Sequence, residues 1–223
     1  TLYVLATPIG NLGDITLRAL ETLKSVDFIA CEDMRVTKKL LTHFGIQKPL
    51  LSYHGHNELK QAENILKLVK QGKNIALVSD AGTPGISDPG FRIVKQAQEE
   101  KVAVISIPGP SAVIAALSIS GLPTDSFLFL GFPPRKEGKK KNYFKLLEKY
   151  PFTLIFYESP FRVLDTLRIA KEVFGDRTIF VAREITKKFE ETFHGTAKDA
   201  IVWLNAKKQI KGEFVILVSK DQK

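Results

Sequence analysis

The sequence predicts an α/β fold, and three observations lead there. Through the first half, short apolar runs alternate with segments of helical period, which argues for a mostly parallel sheet with helices on both faces. Glycine- and proline-rich loops sit at the carboxyl ends of those runs. After residue 120 strand-like runs follow one another more closely, the pattern of a mixed sheet. Turn formers cluster in Ser120-Gly121-Leu122-Pro123-Thr124-Asp125. That is the best linker candidate, so the division is set at 1–120 and 121–223.

The elements follow in order. Residues 2–6 form a near-continuous apolar strand, and 16–23 a helix in which Leu17, Leu20 and Leu23 are spaced by three. A second strand covers 28–31, and Val36, Leu40, Leu41 and Phe44 mark a helix ending at Gly45. A short strand at 50–52 precedes a helix at 58–69, stopped near Gly72. A strand at 75–79, a helix from 91 and a strand at 102–107 complete the alternation. Pro108-Gly109-Pro110-Ser111 opens the helix 112–119, which is apolar all round and is therefore expected to be buried between layers or domains. In the second half, strands are expected at 127–130, 153–157, 179–182, 189–194 and 212–219, and helices at 161–174 and 197–204.

At 44% hydrophobic and 26% charged residues, the chain reads as an ordinary soluble globular protein. No apolar run approaches the roughly 20 residues of a membrane helix, and no basic-then-apolar leader opens the chain. The one cysteine, Cys31, excludes an internal disulfide and suggests a reducing compartment, so the cytoplasm is the expected address. Its setting, Phe28-Ile29-Ala30-Cys31, fits a small core residue better than a nucleophile. The net charge of +9 is unevenly spread: residues 1–120 hold 13 Lys+Arg against 11 Asp+Glu, and residues 121–223 hold 20 against 13. An excess confined to one half points to a polyanionic partner or to a merely soluble basic surface.

The richest motif is Ser79-Asp80-Ala81-Gly82-Thr83-Pro84-Gly85-Ile86-Ser87-Asp88-Pro89-Gly90. It lies at the carboxyl end of a strand, where open α/β sheets bind ligands. Its glycines allow close backbone approach and its prolines leave little entropy to lose on binding. Singly, Asp80 also suits a turn and Asp88 a helix N-cap. Thr7-Pro8-Ile9-Gly10-Asn11-Leu12-Gly13-Asp14 is a second loop of this kind, with Asp14 a candidate cap for the next helix. It matches neither the dinucleotide fingerprint nor the phosphate loop. Such loops follow the strands ending at 6, 79 and 107; if those strands are neighbours, the loops line one crevice. The ligand expected there carries adenosine-like or amino-acid-like groups.

Three polar groups also follow strands: Glu32-Asp33-Met34-Arg35, Tyr157-Glu158-Ser159-Pro160-Phe161-Arg162 and Arg183-Glu184-Ile185-Thr186-Lys187-Lys188. Adjacent acids there could orient a hydroxyl or take its proton, while Asp33 equally suits a cap. His54-Gly55-His56 fits no zinc spacing, and no metal is expected. No G-x-S-x-G elbow occurs. The densest basic run is Arg135, Lys136, Lys139, Lys140 and Lys141, on a Pro/Gly loop followed by Tyr143 and Phe144. Its lysines suit phosphates and its aromatics suit stacking, although solvated charge is the usual fate of such runs.

Leu2-Tyr3-Val4 leading into Thr7-Pro8-Ile9-Gly10-Asn11, the Ser79–Pro84 loop and Pro108-Gly109-Pro110-Ser111-Ala112 resemble the tetrapyrrole-methylase superfamily. Within it the chain is similar to a branch of bacterial ribosomal RNA methyltransferases. The runs Cys31-Glu32-Asp33-Met34-Arg35, Tyr157-Glu158-Ser159-Pro160, Ala182 to Lys187 and Gly212-Glu213-Phe214 extend the likeness over essentially the whole chain. Cys31 and Met34 depart from the Ala and Thr of the pattern. The resemblance implies two α/β domains with the cofactor cleft between them, and a homodimer. It implies methyl transfer from S-adenosyl-L-methionine to a ribose 2′-oxygen of a decoding-region cytidine in 16S rRNA, within the small ribosomal subunit. It places the cofactor against Pro8, Ile9, Asp80, Gly82, Thr83, Ser111, Ala112, Phe156, Tyr157, Ala182, Gly212 and Glu213. Candidate proton acceptors are Glu32, Asp33, Glu184 and Lys187, with Arg35 and Arg183 holding phosphates. A corrin or porphyrin-precursor methylase and a non-catalytic RNA-binding protein are the alternatives.

Overall fold

A computed structural model of the chain describes residues 1–220. They form two compact units, 1–111 and 112–220. The chain thus divides before the apolar helix 112–119, where the sequence placed the division after it. That helix carries no charged residue, so the uneven charge of the two halves is unchanged by the shift.

In the first unit five strands, β1 (Leu2–Leu5), β2 (Phe28–Cys31), β3 (Leu50–Ser52), β4 (Ile75–Val78) and β5 (Val104–Ile107), form one sheet. Its order is β3-β2-β4-β1-β5, and every pairing is parallel. Four helices, α1 (Leu17–Ser25), α2 (Met34–His43), α3 (Glu58–Lys70) and α4 (Phe91–Glu99), cover it. Successive side chains of a strand point to opposite faces, and the central β4 is buried throughout. Ile75 and Leu77 join Ile65, Leu66 and Ile93 under α3 and α4. Ala76 and Val78 join Leu23, Ile29 and Leu41 under α1 and α2. Each such Leu or Ile stabilises the unit by about 1.5–3 kcal/mol.

The caps assign duties the sequence left open. Thr16, not Asp14, accepts from the third residue of its helix, Ala19 N–H, at 3.1 Å. Gly90, not Asp88, is the N-cap of α4. There a Cβ would stand 2.6 Å from the Gly85 nitrogen. Only glycine lets the loop after β4 fold back on itself before α4 begins.

The second unit contains α5 (Ala112–Ile119), β6 (Phe127–Phe129), α6 (Glu137–Leu147), β7 (Thr153–Glu158), α7 (Val163–Phe174), β8 (Thr178–Arg183), β9 (Glu191–Thr196), α8 (Ala197–Asn205) and β10 (Phe214–Val218). Its sheet runs β6-β7-β10-β8-β9, with β6 and β7 parallel and the other pairs antiparallel. Phe144, Leu167, Ala170 and Leu204 from α6, α7 and α8 pack on Leu154, Phe156, Val181 and Ile216 of the sheet. The apolar α5 buries Val113, Ala116 and Leu117 yet leaves Ile114 and Ile119 half exposed. The expectation of burial all round is corrected: a helix has a stripe for each direction, and covering one leaves the other.

Candidate functional site

In the first unit β2, β4, β1 and β5 are consecutive neighbours. Being parallel, they send the residues after 31, 78, 5 and 107 out of one edge. Backbone and side-chain bonds lace those exits together. Thr7 and Gly82 exchange N–H···O bonds of 2.9 and 3.1 Å, and Thr7 Oγ1 donates to the Ser79 carbonyl at 3.1 Å. Asp33 N–H donates to Asp80 Oδ1 at 3.0 Å, joining the exits of β2 and β4. Ile9 lies against Gly82, whose φ of +80° and 3.4 Å clearance from Ile9 Cγ2 leave a side chain no comfortable place. Gly109 passes so near Ala6 that a Cβ would meet its methyl at 3.1 Å. Pro8, Ile9, Glu32, Asp33, Arg35, Asp80, Gly82 and Thr83, expected separately from three motifs, are therefore gathered at one edge; Ser111 closes the segment that follows β5.

A pocket of about 200 Å³ opens there, lined among others by Thr7, Pro8, Leu12, Val36, Ser79 and Asp80. It combines apolar walls with one carboxylate and backbone groups. A carboxylate offers about four acceptor positions, and Asp33 N–H occupies one on Asp80. The acids differ in state. Arg35 holds Asp33 down to about 2, through its guanidinium at 2.6 Å and its own N–H at 2.8 Å. Asp33 is thus the cap of α2. Half-buried Glu32 is pushed above the ordinary carboxylate range, by desolvation first and then by the Asp80 charge.

Sequence reasoning missed the basic face beside this pocket. Arg35, Lys38, Lys39, Thr42 and His43 recur at helical spacing along α2 and line an open groove of about 510 Å³. Their spacing of three and four residues is a helical period of charge visible in the sequence. Among the described residues no group of His, Cys, Asp or Glu is arranged to hold a metal ion, and no helix is long and apolar enough to cross a membrane.

In the second unit Tyr157, Val215 and Ala182 form one row across β7, β10 and β8. The Phe156 ring lies 5.1 Å from Phe144 in the helix-covered core, because alternation turns it away from Tyr157. At the end of β8, Glu184 takes a φ of +53° and accepts from Glu213 N–H at 2.9 Å and from Lys187 Nζ at 3.0 Å. Lys187 also reaches Glu213 Oε2 at 3.0 Å. Gly212 takes a φ of +92°, where a side chain is strained, and a Cβ there would press on the Glu184 side chain at 2.5 Å. Desolvation pushes Glu184 up, but the Glu213 N–H and Lys187 outweigh it and leave its pKa lowered. Desolvation likewise opposes charge on Lys187, and its two carboxylates overcome it and raise its pKa. Lys187 is a cation held between two carboxylates.

The basic run is corrected in two ways. It is not a loop throughout, because α6 begins at Glu137. Helical spacing then turns Lys140 inward: it is 2% exposed and donates to Thr166 Oγ1 at 2.7 Å, beside the buried Glu158 at 3.9 Å. Lys141 pairs with Glu172 at 2.6 Å. Arg135, Lys136 and Lys139 remain exposed.

Residues 1–201 match the family profile described as Tetrapyrrole (Corrin/Porphyrin) Methylases. The chain is 49% identical over 218 residues to "Ribosomal RNA small subunit methyltransferase I" of Halalkalibacterium halodurans, covering 98% of this chain and 75% of that protein. It is 46% identical to the protein of that name from Thermotoga maritima, covering 98% and 97%. Its fold is similar to the crystal structure of the methyltransferase CobJ, with a TM-score of 0.71 at 18% identity over 98% and 93% of the two chains. For a cobalt precorrin-4 methyltransferase of cobalamin biosynthesis the TM-score is 0.69 at 19% identity, over 98% and 94%.

Proposed function

This chain belongs to the tetrapyrrole (corrin/porphyrin) methylases, and from that premise we propose that it is an S-adenosylmethionine-dependent 2′-O-ribose methyltransferase. Its substrate is a decoding-region cytidine of 16S rRNA, met within the small ribosomal subunit by a homodimer in the cytoplasm. The observation that carries the reading is near-full-length identity of 46–49% to proteins named for small-subunit ribosomal RNA. Identity to the cobalt precorrin-4 methyltransferase is only 19%, and to the methyltransferase CobJ 18%.

The carboxyl edge of the first unit fits the cofactor. Its backbone amides and carbonyls, the apolar Ile9 and Leu12 and the Asp80 carboxylate suit an adenosine joined to an amino acid. Nothing in that set calls for a pyrophosphate. Bound there, S-adenosylmethionine supplies a methyl already activated by its sulfonium. The chain's part is then to hold the ribose oxygen in line, since orientation alone reaches effective molarities of about 10⁵–10⁸ M. Glu32 is the residue to accept the 2′-hydroxyl proton, because a raised pKa makes a carboxylate the stronger base. In the first unit Arg35, Lys38 and Lys39 on α2 neutralise phosphates of the RNA; in the second unit Arg135, Lys136 and Lys139 are exposed cations for the same duty.

The test is transfer of labelled methyl from the cofactor to small subunits, total RNA and a corrin precursor in parallel. Label in small-subunit RNA, located at a cytidine ribose, is the expected result. Label in the corrin precursor, or in nothing, overturns the reading.

A further inference from the structure

The exits of β6 and β7 lie side by side, because the two strands are parallel neighbours paired Phe127↔Thr153, Leu128↔Leu154 and Phe129↔Ile155. Tyr157 N–H donates to the Gly131 carbonyl at 2.9 Å, carrying the pairing past the end of β6. Each exit brings a phenylalanine to the surface: Phe132 is 52% exposed and Phe161 is 91% exposed. Folding does not ask for this, since a phenylalanine is among the side chains that gain most from burial. The Arg162 guanidinium stands over the Phe132 ring, 5.9 Å from its centre. It is anchored to Glu158 Oε1 at 2.9 Å and Ser159 Oγ at 3.1 Å. Glu158 is itself buried and held by Ser159 N–H at 2.8 Å and Thr166 Oγ1 at 2.6 Å. The arginine is thus set on a rigid post. The Tyr157 ring is tilted against that of Phe132, with ring centres 5.7 Å apart. Directly after Phe132 come Pro133, Pro134 and the exposed cations Arg135 and Lys136.

We propose that Phe132, Phe161 and Arg162 form a stacking platform for an unpaired RNA base, with Arg135 and Lys136 on its flanking phosphates. The proposal rests on RNA being the substrate. RNA is recognised most readily at unpaired nucleotides whose bases stack on side-chain rings, which replace the stacking lost when the base leaves its neighbours. An exposed ring is indifferent to which base it meets, and an arginine plane serves the same purpose. Phenylalanine and arginine are enriched at protein interfaces too, so a contact between copies of this chain is an outcome of the test; the exposed Arg135 and Lys136 beside the rings favour a polyanion.

The experiment measures binding of a fluorescent oligocytidine octamer to the full chain by anisotropy, across a salt series. Phe161→Ala and Phe132→Ala are each expected to bind roughly 5- to 150-fold more weakly, the range of one lost base stack. The salt slope should stay that of the parent, since no charge is removed. Phe161→Trp should restore affinity, and Phe161→Leu, apolar but without a π face, should not. Parent affinity in both alanine variants overturns the platform. So does rescue by leucine, or dissociation of a dimer by Phe161→Ala in sedimentation, which would make this edge a contact between copies. Methyl transfer by the parent to small subunits is followed in the same preparation. Ring-dependent oligonucleotide binding without any transfer counts for the platform and against the proposed activity.

Discussion

Lys140 is the sharpest test of how the basic segment works, because the sequence counts it among the phosphate ligands and the fold buries it. Lys140→Ala removes three buried methylenes, about 0.8 kcal/mol each. It also removes the ammonium's 2.7 Å bond to Thr166, about 1.5–3 kcal/mol for a charged donor. Glu158 keeps Arg162 at 2.9 Å, so it is not left alone. The total, roughly 4–5 kcal/mol, agrees with the cost of breaking a buried pair. Lys140→Met keeps the stem and should lose only about 1.5–3 kcal/mol. Exposed Lys139→Ala should stay within about 0.5 kcal/mol of the parent. Urea unfolding followed by circular dichroism ranks the three. The pH dependence has a definite sign. Burial lowers the Lys140 pKa from 10.5, against the opposing pull of Glu158. Just below pH 10.5 the unfolded chain therefore binds more protons than the folded one. Stability gains from this group as pH rises through that window, and the gain disappears in the methionine variant. A Lys140→Ala protein as stable as the parent but weakened toward RNA would refute the reasoning.

Three further outcomes are expected. Asp80→Ala should fold normally and bind S-adenosylmethionine more weakly by about 1–3 kcal/mol; equal affinity by calorimetry removes Asp80 from the cofactor site. Glu32→Gln should lower kcat roughly 10²- to 10⁴-fold with little change in KM. In the parent, desolvation and the Asp80 charge place the acid limb of the rate profile above the ordinary glutamate value of 4.5, and a variant with parental kcat excludes Glu32 as the base. Replacing Lys38 and Lys39 together by alanine should flatten the salt dependence of RNA binding by a slope of roughly 0.7–0.9 per lost contact; an unchanged slope leaves the α2 groove without a role in binding.

Much of the fold was legible because it is written in local periods. Alternation of apolar runs and helical segments gave five strands and four helices in the first unit, and the glycine loops marked, before any strand order was known, the strand exits that the sheet order brings to one edge. The same loops named Asp80 and Gly82, because a backbone that must turn tightly leaves a compositional trace. Period alone could not reveal strand neighbours. That β4 lies between β2 and β1 is a long-range pairing, and it alone brings Glu32 beside Asp80.

The tertiary structure also decided what identical residue types do. Lys139, Lys140 and Lys141 are consecutive and alike in sequence. On a helix each points about 100° from the last, so one faces water, one is buried beside Glu158 and one meets Glu172. Phe156 and Tyr157 are parted in the same way by the two-residue period of a strand, one into the core and the other toward Phe132. The acids at the strand ends were equivalent candidates until Arg35 lowered Asp33 and burial raised Glu32. Sequence determines which groups are available and where the backbone must bend. Charge state and direction depend on neighbours distant along the chain, and only folding supplies those.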